Sequence, residues 1–180
     1  MIKITLILTW LVFNVIALVY LVTPPPLLRD FPNSVKSTLP GDTVQLKNVS
    51  GYFTNLTRRE VINYYLSFYN HPLLVRLNHP PEKSKTIFRD TMQSYYLEEL
   101  VLPFKESLFI NGYEWENDVF TKPEKRIANK LTYNGISYSA KITLKTFPVP
   151  IFSRLLVFGL SQASLFLIYF IYRRALKHEN

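Results

Sequence analysis

Two apolar runs frame the chain. Ile4–Val22 ("ITLILTWLVFNVIALVYLV") is 19 residues without a charge, and Leu155–Tyr172 ("LLVFGLSQASLFLIYFIY") is 18 residues without a charge. At about 1.5 Å rise per residue, each reaches across roughly 30 Å of hydrocarbon. A segment in hydrocarbon must satisfy its own backbone groups, so both runs predict transmembrane helices. Between them the pattern breaks into shorter pieces. "NLTRREVINYYLSFYN" places Val61, Tyr65 and Phe68 at helical spacing, and Thr57 with Glu60 three residues on forms a capping box. "KLTYNGISYSAKITLKTF" centres on Asn134-Gly135, the preferred pair for a tight hairpin turn. After it Ile136, Tyr138, Ala140, Ile142 and Leu144 alternate with polar residues, which predicts a strand with one apolar face.

The remaining signals are weaker. "PLLVRL" (72–77) is short, apolar and bounded by Asn and Pro, as a strand would be. "PPEKSKTIFRDTMQSYY" opens on prolines and spaces Ile87, Thr91 and Tyr95 on one helical face, predicting a helix near 82–93. "PFKESLFINGY" starts at Pro103 and stops at Gly112, the ends expected of a helix. "YYLEELVL" between them reads as a strand or as a continuation of the preceding helix. The fold class expected is an α+β extracytoplasmic domain, residues 23–150, flanked by transmembrane helices at 4–22 and 155–172 and followed by a short cytoplasmic tail at 173–180. Its hairpin should feed almost directly into the second membrane helix. Pro24–Pro26 and "FPVPIF" make its two connections stiff and extended.

Charge orients this layout. Arg173, Arg174 and Lys177 follow the second span, and the positive-inside rule then puts both termini in the cytoplasm. The first apolar run is longer than a usual signal-peptide core and lacks a small-residue cleavage motif, so an uncleaved anchor is expected. The net charge of +8 is spread thinly; residues 23–150 carry 16 basic against 12 acidic side chains. The absence of cysteine excludes disulfides and thiolate chemistry. "NVS" at Asn48 and "NLT" at Asn55 match the glycosylation acceptor pattern, which short sequences often match by chance.

Candidate chemistry is sparse. His71 and His79 each stand in an Asn-His-Pro triplet, eight residues apart. An intervening strand would separate them by about 26 Å, too far to share a metal, so turn or strand-boundary roles are expected. Glu114, Glu116 and Asp118 alternate without the spacing of a calcium loop, and a solvated loop is the simpler reading. Glu98 and Glu99 are adjacent and should point opposite ways. The domain is rich in tyrosine, which suits either a partner surface or half-buried packing. No Gly-x-Ser-x-Gly, phosphate loop or His-Glu-x-x-His is present, and nothing calls for a metal or other cofactor.

The stretch Arg89–Asp118 ("RDTMQSYYLEELVLPFKESLFINGYEWEND") resembles a group of uncharacterised small bacterial membrane proteins with a helix–domain–helix layout. They carry a "PFRESLFVNG"-type segment where this chain has Pro103–Gly112. The resemblance implies an architecture and no activity.

Two functions fit. The first is a membrane-anchored interaction or scaffold protein of the cell envelope. It would have a protein partner in or beside the membrane and bind no nucleic acid, and the short tail would route any signal through that partner. The second is an anchored, glycan-directed hydrolase using Glu98, Glu99 or Glu106 as acid and base. A carboxylate pair about 5–9 Å apart in a pocket would favour the enzyme, and a flat tyrosine-rich patch the scaffold. Inside the membrane, Asn14 and Gln162 should lie at one depth and pair between the helices, with Gly159 and Ala163 allowing close approach. The alternatives are that each faces another helix, or that Asn14 bonds its own backbone.

Overall fold

The computed structural model describes residues 2–40, 47–80, 82–83, 86 and 95–178. It divides the chain into a helical unit, residues 1–24 with 149–180, and a sheet unit, residues 25–148.

The helical unit holds α1 (Ile2–Val22) and α3 (Ile151–His178), each long and apolar enough to cross a membrane. α3 runs beyond the expected 155–172 at both ends. Its 28 residues span about 42 Å, close to a bilayer including its headgroup layers. Arg154 in its first turn holds two chain segments together. Nε donates to the Val149 carbonyl at 2.8 Å, and Nη1 donates to the Leu21 carbonyl at 3.1 Å. Leu21 O belongs to the last turn of α1, whose carbonyls have no partner within the helix, so the guanidinium supplies one. Further along, Trp10 and Phe166 meet edge to face at 5.7 Å. Thr9, Ser161 and Ser164 bond back to carbonyls of their own helices, which is how apolar helices tolerate small polar groups.

The sheet unit is built on six antiparallel strands in the order β1-β2-β8-β5-β4-β3. They are β1 (Ser34–Lys36), β2 (Val49–Thr54), β3 (Val75–His79), β4 (Tyr96–Leu102), β5 (Glu106–Glu114) and β8 (Ala140–Pro148). One face packs against α2 (Arg58–Tyr69), which starts at Thr57 with the predicted capping box complete. Val61, Ile62, Tyr65 and Tyr69 of α2 meet Tyr52, Tyr96, Leu100, Leu108, Ile110, Ile142 and Leu144 of the sheet. The other face carries a smaller core. There β6 (Leu131–Tyr133) and β7 (Ile136–Tyr138) form a hairpin whose Leu131, Tyr133 and Tyr138 pack on Phe53 and Tyr113.

The hairpin turns at Asn134-Gly135 as expected, both at positive φ (51° and 77°). Its second strand does not run on unbroken. Ser139 interrupts the alternation, held by Asn55 Oδ1, which accepts from its N–H at 2.9 Å. There the chain leaves the hairpin and enters the main sheet. Tyr138 therefore joins the small core, Ile142 and Leu144 the large one, and Ile136 stays exposed.

Pro103–Gly112 is not a helix. Leu102–Lys105 is a turn closed by Lys105 N–H to Leu102 O at 2.9 Å, and a strand follows, β5. Leu108 and Ile110 serve one core while Tyr113 serves the other, so apolar residues on both faces hide the period of two. "YYLEELVL" is the strand it hairpins with, β4. Gly112 is no helix stop. It lies opposite Tyr96, whose ring crosses it so closely that a Cβ there would fall 2.1 Å from the ring. The helix expected near 82–93 falls largely outside the described residues.

Candidate functional site

The strand between the two histidines is shorter and later than the expected 72–77: β3 runs Val75–His79, and residues 72–73 form a turn. His71 shapes the turn after α2: Nδ1 accepts from Leu73 N–H at 3.1 Å, and its carbonyl accepts from Leu74 N–H at 3.0 Å. His79 ends β3, with Nε2 2.8 Å from Glu99 Oε2.

The glutamates do not assemble a pair of acids. Glu98 faces α2 and is fully buried. Arg58 of α2 donates to its Oε1 from Nε at 3.1 Å and also from Nη2. Arg76 of β3 donates to Oε2 from Nε at 2.8 Å and to Oε1 from Nη2 at 2.9 Å. Burial pushes the Glu98 carboxyl up, but the hydrogen bonds from Arg76 and Arg58 outweigh it and hold the group below the usual carboxylate range. A locked carboxylate of this kind is a poor general acid. Glu99, next along β4, turns to the other face. Glu106 pairs across from Leu102, four residues along β4 from Glu98, which is about 13 Å at strand rise. That exceeds the separations used in either glycoside mechanism. Glu106 is itself buried and accepts from the Tyr69 hydroxyl at 2.6 Å, a bond that, after burial, raises the phenol's pKa further.

The acidic loop is more than a solvated run. Glu116 is exposed, but Asp118 is buried. Its Oδ1 accepts from Phe120 N–H at 2.9 Å and its Oδ2 from Thr121 Oγ1 at 2.6 Å. Arg126 Nε reaches the Thr121 carbonyl at 3.1 Å, and Nη1 reaches the Glu116 carbonyl at 2.7 Å. These bonds shape the segment around two short 3-10 turns, Trp115–Asn117 and Pro123–Asn129. Glu114 meanwhile accepts from Asn117 Nδ2 at 2.6 Å. Among the described residues no group of three acids or histidines could hold a metal ion.

The tyrosines are packing residues. Tyr52, Tyr65, Tyr69, Tyr96, Tyr113, Tyr133 and Tyr138 are all buried. Several direct their hydroxyls to loop partners, Tyr52 to Asp30, Tyr64 to the Asp30 carbonyl and Tyr133 to Thr38. A tyrosine-rich surface is therefore not what the domain offers a partner.

The sheet unit does carry a cleft. Beside the small core, Leu39, Phe53, Tyr113, Asp118, Thr121, Asn129 and Lys130 border a recess of about 620 Å³. Leu39 in the lining is exposed, and so are Val119, Phe120, Ile127 and Ile136 nearby in sequence. Each sits in, or within a few residues of, the segments that line the recess. Nothing in the periodicity flagged this region, because it is made of short turns that share no repeat. The signal available was five aliphatic or phenylalanine side chains, Ile136 on the hairpin and the other four in polar loop sequence.

In the helical unit, Asn14 Nδ2 donates to its own helix at the Trp10 carbonyl, 2.7 Å away, and Gln162 Oε1 is buried without a partner. The two amides do not pair. Gly159 and Ala163 are exposed, and a Cβ on Gly159 would meet nothing within 4 Å, so α1 does not pack there. Arg173 and Arg174 are exposed in the last turns of α3, and Lys177 lies in the same helix.

Comparison of the chain with known protein families, with curated proteins and with solved structures returns no match.

Proposed function

We propose that this chain is a two-pass membrane protein of the cell envelope. Its sheet unit would stand outside the cytoplasm as a docking domain for a protein partner. The observation that carries this reading is the cleft lined by Leu39, Phe53, Tyr113 and Leu131, with exposed Val119, Phe120, Ile127 and Ile136 in the segments that supply its lining or next to them in sequence. Exposed aliphatic and aromatic side chains grouped near a recess are what interaction sites look like. The cleft lies past the Ala140 end of β8, about 26 Å at strand rise from the Pro148 end that leads to α3. The orientation rests on Arg173, Arg174 and Lys177 after the second span.

A photoreactive residue at Phe120 or Ile136, activated in native membranes, should capture one dominant protein, while the same residue at exposed Lys125 captures little. Equal, diffuse labelling from all three positions would sink the docking reading. Orientation has its own check. A reporter enzyme active only outside the cytoplasm, fused after Lys122, should be active, and activity confined to a cytoplasmic reporter would invert the layout.

A further inference from the structure

A φ in the left-handed region occurs at four described residues other than glycine: Asn33, Asn48, Asn134 and Phe104. Asparagine is the expected occupant, since its short polar side chain tolerates the left-handed region. Phenylalanine is not. Phe104 is the third residue of the Leu102–Lys105 turn, after Pro103, with φ 62°. That position of such a turn normally selects glycine or asparagine. The strain brings no burial in return, because Phe104 is 63% exposed. A bulky apolar side chain held outward on an unfavourable backbone asks for an environment other than water.

The neighbours of Phe104 are alike. Leu73 in the turn after α2, Val75 at the start of β3 and Phe147 near the end of β8 are also exposed. The register places them at one end of the sheet: Val75 opposes Val101, Val101 opposes Ser107, and Ser107 opposes Phe147. Only Val149 and Pro150 separate β8 from α3. At no more than about 3.6 Å per residue, Phe147 stays within roughly 14 Å of Ile151 whatever the direction of the helix. α3 is long enough that its first turn falls in a headgroup layer. Lys145 adds a cation 4.9 Å from the centre of the Phe147 ring, the pairing of charge and aromatic that suits a headgroup boundary.

We propose that Leu73, Val75, Phe104 and Phe147 form a lipid-contacting rim that seats the sheet unit on the bilayer surface. The inference rests on α1 and α3 crossing a membrane, and it is independent of what docks at the cleft. Seating the domain would fix the height and tilt at which the cleft is presented.

The chain has no cysteine, so single nitroxide labels can be placed on the full protein in nanodiscs holding one chain each. The lipid is phosphatidylcholine with phosphatidylglycerol, and Leu73→Cys, Ile136→Cys and Leu160→Cys carry the labels. Collision with oxygen reports lipid, and collision with a water-soluble nickel chelate reports water. Expected is an oxygen-to-nickel ratio several-fold higher at 73 than at 136, with 160 higher still. Phe104→Gly should lower the ratio at 73 without lowering the melting midpoint, because glycine relieves the turn. Equal ratios at 73 and 136, with 160 still in lipid, would overturn the rim alone. A label at 73 shielded from both reagents would mean protein contact and would also overturn it. Nickel access at 160 would remove the membrane reading and the rim with it.

Discussion

Glu98 and Glu99 are neighbours on one strand and live in different proteins, chemically speaking. Glu98 faces α2, fully buried, with two arginines on its oxygens. Glu99 faces the other way, still partly in water, with His79 as its partner. The two faces of the sheet differ in the same sense throughout. The covered face is closed by one amphipathic helix that packs on aromatic and aliphatic residues from four strands and holds the buried Glu98. The opposite face is assembled from local pieces, a hairpin and two 3-10 turns, and leaves apolar side chains open at both ends. Packing is densest on the first face, and the proposed contacts with a partner and with lipid fall on the second.

The glutamates give the largest test of that contrast. Glu98→Ala removes the acceptor for both arginines and should cost about 3 kcal/mol. That is the low end for breaking a buried pair, since Arg58 and Arg76 remain partly in water. Glu99→Ala should cost under about 1 kcal/mol. Urea unfolding followed by Trp115 fluorescence, in a Trp10→Phe background, measures both. Acid adds a sign. The folded state depresses the Glu98 pKa, so it binds that proton more weakly than the unfolded chain does. The contribution of Glu98 is therefore complete above the ordinary carboxylate value near 4.5 and is lost as pH falls below it. Glu98→Gln should flatten that part of the stability profile. Equal costs at the two positions would mean the faces are not distinct in energy.

The contrast also explains what could be read in the sequence. Elements with one dry and one wet face were legible: α2 with its capping box, the Asn134-Gly135 turn, and the alternation of Ala140, Ile142 and Leu144. The two apolar helices were legible because every position reports the same solvent. β5 was not. Apolar residues on both of its sides removed the period of two, and Pro103 with Gly112 imitated helix ends. The Glu98 cluster was invisible because Arg58, Arg76 and Glu98 come from three separate elements. The cleft and the rim escaped for a simpler reason: single apolar residues in turns have no pattern, and only the fold collects them.

Gly112→Ala should come next in size. The added Cβ would meet the Tyr96 ring at 2.1 Å, in a site where that ring is itself buried, so strand or ring must shift. Overpacking of this kind costs about 2 kcal/mol. Tyr96→Leu should recover part of the loss in the double variant, because the cause is one specific ring. Additive effects would place the damage elsewhere.

On the opposite face, Gly135→Val probes the hairpin. A Cβ there meets nothing within 4 Å, so the whole cost comes from holding a β-branched residue at φ 77°. About 1–2 kcal/mol is expected, read as a lowered melting midpoint. Deuterium exchange should rise first at Leu131–Tyr138 and leave β4 and β5 protected, as a locally built module requires. Simultaneous loss of protection on both faces would contradict the division between them.

The smallest effect has the opposite sign. The Tyr96 hydroxyl is buried and has no hydrogen-bond partner. Its ring meanwhile supports Arg58, whose guanidinium carbon lies 4.9 Å from the ring centre. Burial raises the phenol pKa, so the group is neutral at all ordinary pH and gains nothing from ionising. Tyr96→Phe keeps the ring, the cover over Gly112 and the contact with Arg58, and removes a polar atom that was desolvated without compensation. A gain of up to about 1 kcal/mol is expected. Because Arg58 still grips Glu98, the acid sensitivity of the domain should stay unchanged while the urea midpoint rises. A loss of stability would mean that the hydroxyl has a partner, such as a buried water, and that the covered face is more fully satisfied than its protein atoms alone indicate.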